Sequence, residues 1–111
     1  MESLNVIARD TFVPEPGGLK FVARVRNPRP GWVEDVVVEV MVGDSVVWKL
    51  PPLFIPDHSS VRVGLLVPSE HVLASGQPPT FSEPVRVRVF DPDTGVTLYA
   101  EPRSIDDWDD V

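Results

Sequence analysis

Apolar and polar residues alternate along most of the chain. From Leu19 to Arg26, the positions Leu19, Phe21, Ala23 and Val25 form one set, and Lys20, Val22, Arg24 and Arg26 form the other. A period of two turns the first set toward a core and the second toward solvent on a β-strand. The same reading predicts a strand from about Trp32 to Val42, with Val36, Val38, Val40 and Val42 on one face opposite Val37, Glu39 and Met41. Gly43-Asp44 fits a two-residue hairpin loop with glycine first. The chain then returns through Ser45 to Leu50, placing Val46, Trp48 and Leu50 on one side. Val61, Val63, Leu65 and Val67 alternate with Arg62, Gly64 and Leu66; Val85, Val87 and Val89 alternate with Arg86, Arg88 and Phe90. Val96 to Glu101 is the last strand. Leu4 to Val13 alternates less cleanly, and Arg9 and Asp10 suit an edge position there.

Proline and glycine punctuate these runs. Pro14-Glu15-Pro16-Gly17-Gly18 breaks the first strand, Asn27-Pro28-Arg29-Pro30-Gly31 makes a turn, and Pro51-Pro52 and Pro56-Asp57-His58-Ser59-Ser60 end others. Asp91-Pro92-Asp93-Thr94-Gly95 reads as a hairpin loop. The longest irregular stretch is Pro68 to Ser82, where Ser69 to Ala74 fits one short helical turn capped by Ser69 and stopped near Gly76. Seven short strands without a sustained helical period predict an all-β fold: one antiparallel immunoglobulin-like β-sandwich over 1–101, with an acidic C-terminal arm over 102–111. That connectivity places the second and fifth strands in one sheet and the third, sixth and seventh in the other. Trp32 and Trp48 are expected in the core or on a sheet face.

Composition agrees with the periodicity. Valine occurs 21 times against 4 alanines and 8 leucines, and β-branched side chains favour pleated surfaces over helices. A length of 111 residues suits one domain. The absence of cysteine excludes disulfides, thiolate catalysis and zinc-thiolate sites. A net charge of -7 argues against general nucleic-acid binding, which needs a basic surface to displace counterions. No apolar run reaches membrane-spanning length, and Met1-Glu2-Ser3 does not open a signal peptide. Three amide side chains and 13 prolines are the composition of a heat-resistant protein, and a GC-rich genome skews usage the same way.

Charge placement says more than charge total. On the outward face of the first sheet, Lys20, Arg24, Arg26 and Arg62 form a basic patch on an acidic protein. On the second sheet, Arg86 and Arg88 are expected to pair across strands with Glu39 and Glu101. Beyond the last strand, Ile105-Asp106-Asp107-Trp108-Asp109-Asp110-Val111 sets four acids around one tryptophan. One reading is a solvated acidic terminus. The other, favoured here, is a docking peptide with Ile105 and Trp108 as anchors and Asp106, Asp107, Asp109 and Asp110 meeting arginines of a neighbouring subunit.

Candidate chemistry is sparse. His58 and His71 each follow an acid, but nothing in their spacing brings them together. Asp91-x-Asp93-x-Gly95 has the start of a calcium loop without its later ligands, and a turn already needs those residues. Ser59-Ser60 lacks a strand-to-helix elbow, and no glycine-rich phosphate loop is present. The expectation is a protein without catalytic residues, metal or cofactor.

The span from Leu19 to about Ala100 resembles the CARDB type of immunoglobulin-like domain, the cell-adhesion-related modules of bacteria and archaea. The likeness is carried by Val22-Ala23-Arg24-Val25-Arg26-Asn27-Pro28, Val36 to Val42, Gly43-Asp44-Ser45-Val46-Val47, Leu50-Pro51-Pro52-Leu53 leading to Val61-Arg62-Val63, and Val85 to Asp91. It implies a binding module rather than an enzyme. Lone immunoglobulin-like domains also decorate the capsids and tails of tailed viruses. The expected function is therefore a virion or assembly component, oligomeric or bound to a capsid protein, using the edge strand Leu4 to Val13 and the arm. The alternative is a cell-surface or accessory domain that binds protein or carbohydrate through loops, chiefly Pro68 to Ser82.

Overall fold

A computed structural model describes residues 2–76 and 78–104. The expected arm residues Ile105, Asp106, Asp107, Trp108, Asp109, Asp110 and Val111 lie outside the described residues. The strands are β1 (Asn5–Arg9), β2 (Val13–Glu15), β3 (Gly18–Arg26), β4 (Val33–Val42), β5 (Ser45–Lys49), β6 (Leu53–Ile55), β7 (Ser60–Pro68), β8 (Val72–Ala74), β9 (Thr80–Phe81), β10 (Val85–Asp91), β11 (Val96–Ala100) and β12 (Pro102–Arg103).

The fold is all-β. In one sheet β3 is central: β7 pairs along one edge, and β1 and β2 share the other. The second sheet runs β11-β10-β4-β5, with β6 continuing the β5 arm along the start of β4. The amide of Leu50 bridges the two pieces by donating to the Val38 carbonyl at 3.0 Å. Strands β3 and β7 thus share one sheet and β4, β10 and β11 the other, as the immunoglobulin-like order requires.

The core lies between these sheets. Phe21, Ala23 and Val25 of β3 meet Val36, Val38, Val40 and Val42 of β4, Leu65 and Val67 of β7, and Val85, Val87 and Val89 of β10. Each fully buried valine, leucine or phenylalanine contributes about 1.5–3 kcal/mol relative to exposure. Where β3 and β7 approach most closely, a Cβ on Gly18 would sit 2.0 Å from the Val67 carbonyl oxygen, so only glycine fits. Gly43, at φ 61°, turns the β4–β5 hairpin as expected.

Several expectations are corrected. The first strand is two strands, because residues 10–12 turn inward and seat Phe12 between Phe21 and Phe81 at ring distances of 5.2 and 5.1 Å. Pro14 sits inside β2 and not in a break, since an outer edge strand tolerates a missing N–H. The Pro68–Ser82 stretch holds a 3₁₀ turn over Ser69–His71, with no side-chain cap, and then the small β8–β9 hairpin.

Trp32 is not core; it is 62% exposed. Asp35 adopts a left-handed φ of 59°, and the β4–β6 register shifts there. That extra residue reverses the inward–outward phase, burying Val33 in place of Trp32. A second shift between Val40 and Met41 likewise exposes Val46 while Val47 and Trp48 pack against the core.

Strand β12 pairs parallel to β1, with Ala8 opposite Pro102 and Arg9 opposite Arg103. The Asp10 amide extends this contact to the Arg103 carbonyl at 3.1 Å. Residues 102–103, read as part of the arm, are therefore strand, and they cover the β1 edge over Ala8–Asp10.

Candidate functional site

Two regions concentrate charge. The first is the predicted basic face. Lys20, Arg24 and Arg26 lie on the outward side of β3, and Arg62 stands directly opposite Arg24 on β7. Arg9 joins them from β1, one strand away on the other side. Every ionisable side chain that β1, β3 and β7 turn outward is basic. Like charges directly opposite one another on adjacent strands are destabilising. Between Arg9, Lys20 and Arg62 runs a groove of about 350 Å³ floored by Val22 and Gly64. The Lys20 stem crosses Gly64, where an added Cβ would meet its Cε at 2.5 Å.

Ile7 adds an unexpected feature to this face. Leu4 and Ala8 belong to the core and Val6 packs against it, so the alternation turns Ile7 outward, opposite Arg24. It is nevertheless only 3% exposed. The facing sheet packs on the other side of β1, so that burial has a different origin.

The second region, at the end of the sandwich, escaped the sequence reading. Arg29 and Asp91 are both buried there and joined by two hydrogen bonds: Nη1 donates to Oδ2 at 2.9 Å and Nη2 to Oδ1 at 3.3 Å. Nη1 also donates to the Glu2 carbonyl at 3.0 Å, and Nη2 reaches Asp93 at 3.4 Å. The amides of Leu4 and Asp93 donate to the Asp91 carboxylate. Burial pushes the Asp91 carboxyl up; the Arg29 hydrogen bonds, the Leu4 amide and the guanidinium charge outweigh it and leave it below the ordinary carboxylate range.

Asn27 organises the loop around this pair. Its Nδ2 donates to the carbonyls of Gly31, Pro56 and Ile55, and its Oδ1 accepts from the Arg29 amide at 3.0 Å. Above the network, Trp32 donates from Nε1 to Glu34 at 2.9 Å. Together with Glu2, Pro28, Pro30 and Asp93 it lines an open cavity of about 470 Å³. The Asn-Pro-Arg-Pro-Gly spacing was legible as a turn, but not the partner of its arginine.

On the second sheet Arg88 pairs with Glu39 at 3.0 Å, and Arg86 turns to the Gly43 carbonyl, to Asp44 and to the Tyr99 ring. The Glu39 hydrogen bond, opposed by partial burial, holds Arg88 above its usual range. His58 precedes β7 and His71 follows it, so a strand of roughly 30 Å separates them. Among the described residues, no three histidine or carboxylate side chains are grouped to hold a metal ion, and no helix is long and apolar enough to cross a membrane. Compared with family models, curated proteins and solved structures, the chain matches none.

Proposed function

We propose that this protein is a non-enzymatic assembly module, of the kind that decorates a virion capsid or tail, and that it grips neighbouring subunits through its basic face and acidic C-terminal arm. One observation carries the reading: Arg24 and Arg62 directly opposed on a sheet face to which Arg9, Lys20 and Arg26 add positive charge and β2 adds the acidic Glu15. Such a face is stabilised by a polyanionic segment, and residues 106–110 supply four aspartates around Trp108. Repetition over a lattice makes modest contacts of this kind add up. The edge over Ala8–Asp10 is covered by β12, so a neighbour adds a strand there only when β12 leaves.

The test is light scattering on the full chain across a concentration series, with Trp108→Ala and Arg24→Gln/Arg62→Gln alongside. Self-association weakened by both changes, and by salt, supports the proposal. A chain that stays monomeric and binds no structural partner through this face overturns it.

A second reading rests on Trp32. An exposed indole held by Glu34 beside an open cavity suits ligand capture at a loop end, the mode of a cell-surface or accessory domain. In that case Trp32→Ala abolishes ligand binding, and Trp108→Ala leaves it intact.

A further inference from the structure

We infer that the cavity at the loop end of the sandwich receives an arginine side chain from an extended segment of a partner protein, stacked on the Trp32 indole and bonded to the carboxylates of Glu2 and Asp93. The inference deepens the reading of this end as a ligand site, on which it rests, by naming the chemistry of the ligand.

The backbone presents the indole against its own preference. Asp35 holds a left-handed φ of 59°, which a residue with a side chain disfavours. The register shift there turns Trp32 out of the core and buries Val33 instead. Bulges re-aim side chains in this way beside functional sites. The exposed ring is also fixed, since its Nε1 donates to Glu34 at 2.9 Å. Its one donor is thereby used, and what Trp32 adds to the cavity is apolar π surface. Pro28 and Pro30 line the same space and carry no N–H of their own.

The sign of the charge selects the occupant. The ionisable residues lining the cavity are Glu2, Arg29 and Asp93. The Arg29 side chain is only 6% exposed and is matched by buried Asp91 at 2.9 Å. Glu2 is exposed, and the Asp93 side chain keeps 47% of its surface in solvent although it also touches Arg29. With Arg29 set against Asp91, Glu2 and Asp93 leave the cavity negative, and Glu34 adds to that charge beside the indole. Carboxylates next to an aromatic surface suit a cation.

The open form of the cavity narrows the choice further. Among the described residues no three acidic or histidine side chains are grouped to hold a metal ion. An ammonium is strongly hydrated, and an open site leaves it its water. A guanidinium is more weakly hydrated, stacks on indole and forks its planar donors to carboxylates. Its aliphatic stem suits the two prolines. A cavity of about 470 Å³ open to solvent admits a side chain still joined to its own backbone.

The experiment titrates the isotope-labelled full chain with a blocked glycine–arginine–glycine peptide and with its lysine and citrulline counterparts. Citrulline keeps the shape of arginine and removes its charge. The expected result is a saturable NMR shift of the Trp32 indole N–H and of the Gly31 and Asp93 amides, with Val38 and Val87 unmoved. The arginine peptide binds most tightly. Trp32→Ala and Glu2→Gln/Asp93→Asn each keep the folded spectrum and weaken binding about tenfold or more, read at Gly31. An equal response to either counterpart overturns the arginine assignment and leaves ligand capture at the loop end standing. Arginine binding untouched by Trp32→Ala also overturns it, because the peptide then lies elsewhere. No saturable shift with any of the three peptides overturns both.

Discussion

The sandwich end and the basic face handle arginine in opposite ways. Arg29 is buried, and its guanidinium is bonded to Asp91, to Asp93 and to the Glu2 carbonyl, while the Asp91 carboxylate also receives two backbone amides. An ion pair so fully satisfied is a fixture of the fold, tying the amino terminus to the turn after β3 and the loop after β10. Arg24 and Arg62 instead face each other on a sheet surface among further cations. The first arrangement completes itself within the body of the domain. The second sets like charges side by side on an outer face. Complementarity inside the body marks scaffold, and the basic face is where the proposed function is put to the test.

The strongest way to break this contrast is at Asp91. Asp91→Asn leaves Arg29 buried without its counter-charge and is expected to cost about 3–5 kcal/mol in urea unfolding. Arg29→Met combined with Asp91→Leu recovers most of that loss, because apolar replacement removes both burial penalties together. A loss below about 1 kcal/mol for the single change would place the pair among ordinary surface bridges.

Acid probes the same pair without mutation. The folded-state Asp91 pKa is lowered, so its contribution is present above the ordinary carboxylate value and is lost as pH falls through the lowered one. Thermal unfolding over that range is expected to show an acid limb that flattens in the Met/Leu double variant.

Asn27→Ala comes next, at about 1–3 kcal/mol, because it strips a partner from buried backbone groups around Arg29. The expected signature in hydrogen exchange is faster opening of residues 28–31, with β10 unchanged.

The smallest effect is the sharpest discriminator. Arg62→Gln relieves repulsion of about 0.2–1 kcal/mol opposite Arg24. In the background with the four arm aspartates changed to asparagine it is expected to stabilise; with the native arm it is expected to be neutral or destabilising. A double-mutant cycle reads that change of sign, and equal effects in both backgrounds would deny any arm–face coupling.

Much of the fold was legible because alternation carries it. Phe21, Ala23 and Val25, and Val36 through Val42 on even positions, are buried where a period of two puts them. Phase was lost where single residues interrupt it: Asp35 reverses the start of β4 and exposes Trp32, and the shift at Val40–Met41 does the same to Val46. Periodicity has no memory across an inserted residue. The basic face was legible from Lys20, Arg24, Arg26 and Arg62 because β3 and β7 keep their phase throughout. The Arg29–Asp91 pair was not, since its members are 62 residues apart and each sits where turn chemistry already accounts for it.

The parallel seating of β12 beside β1 has a mechanical consequence. Tension applied through the two ends of the molecule would drag these strands past each other along their length, loading their cross-links simultaneously instead of unzipping them one by one. A small domain tugged at both extremities thereby resists yielding at its weakest margin, and β12 doubles as the clasp that holds β1.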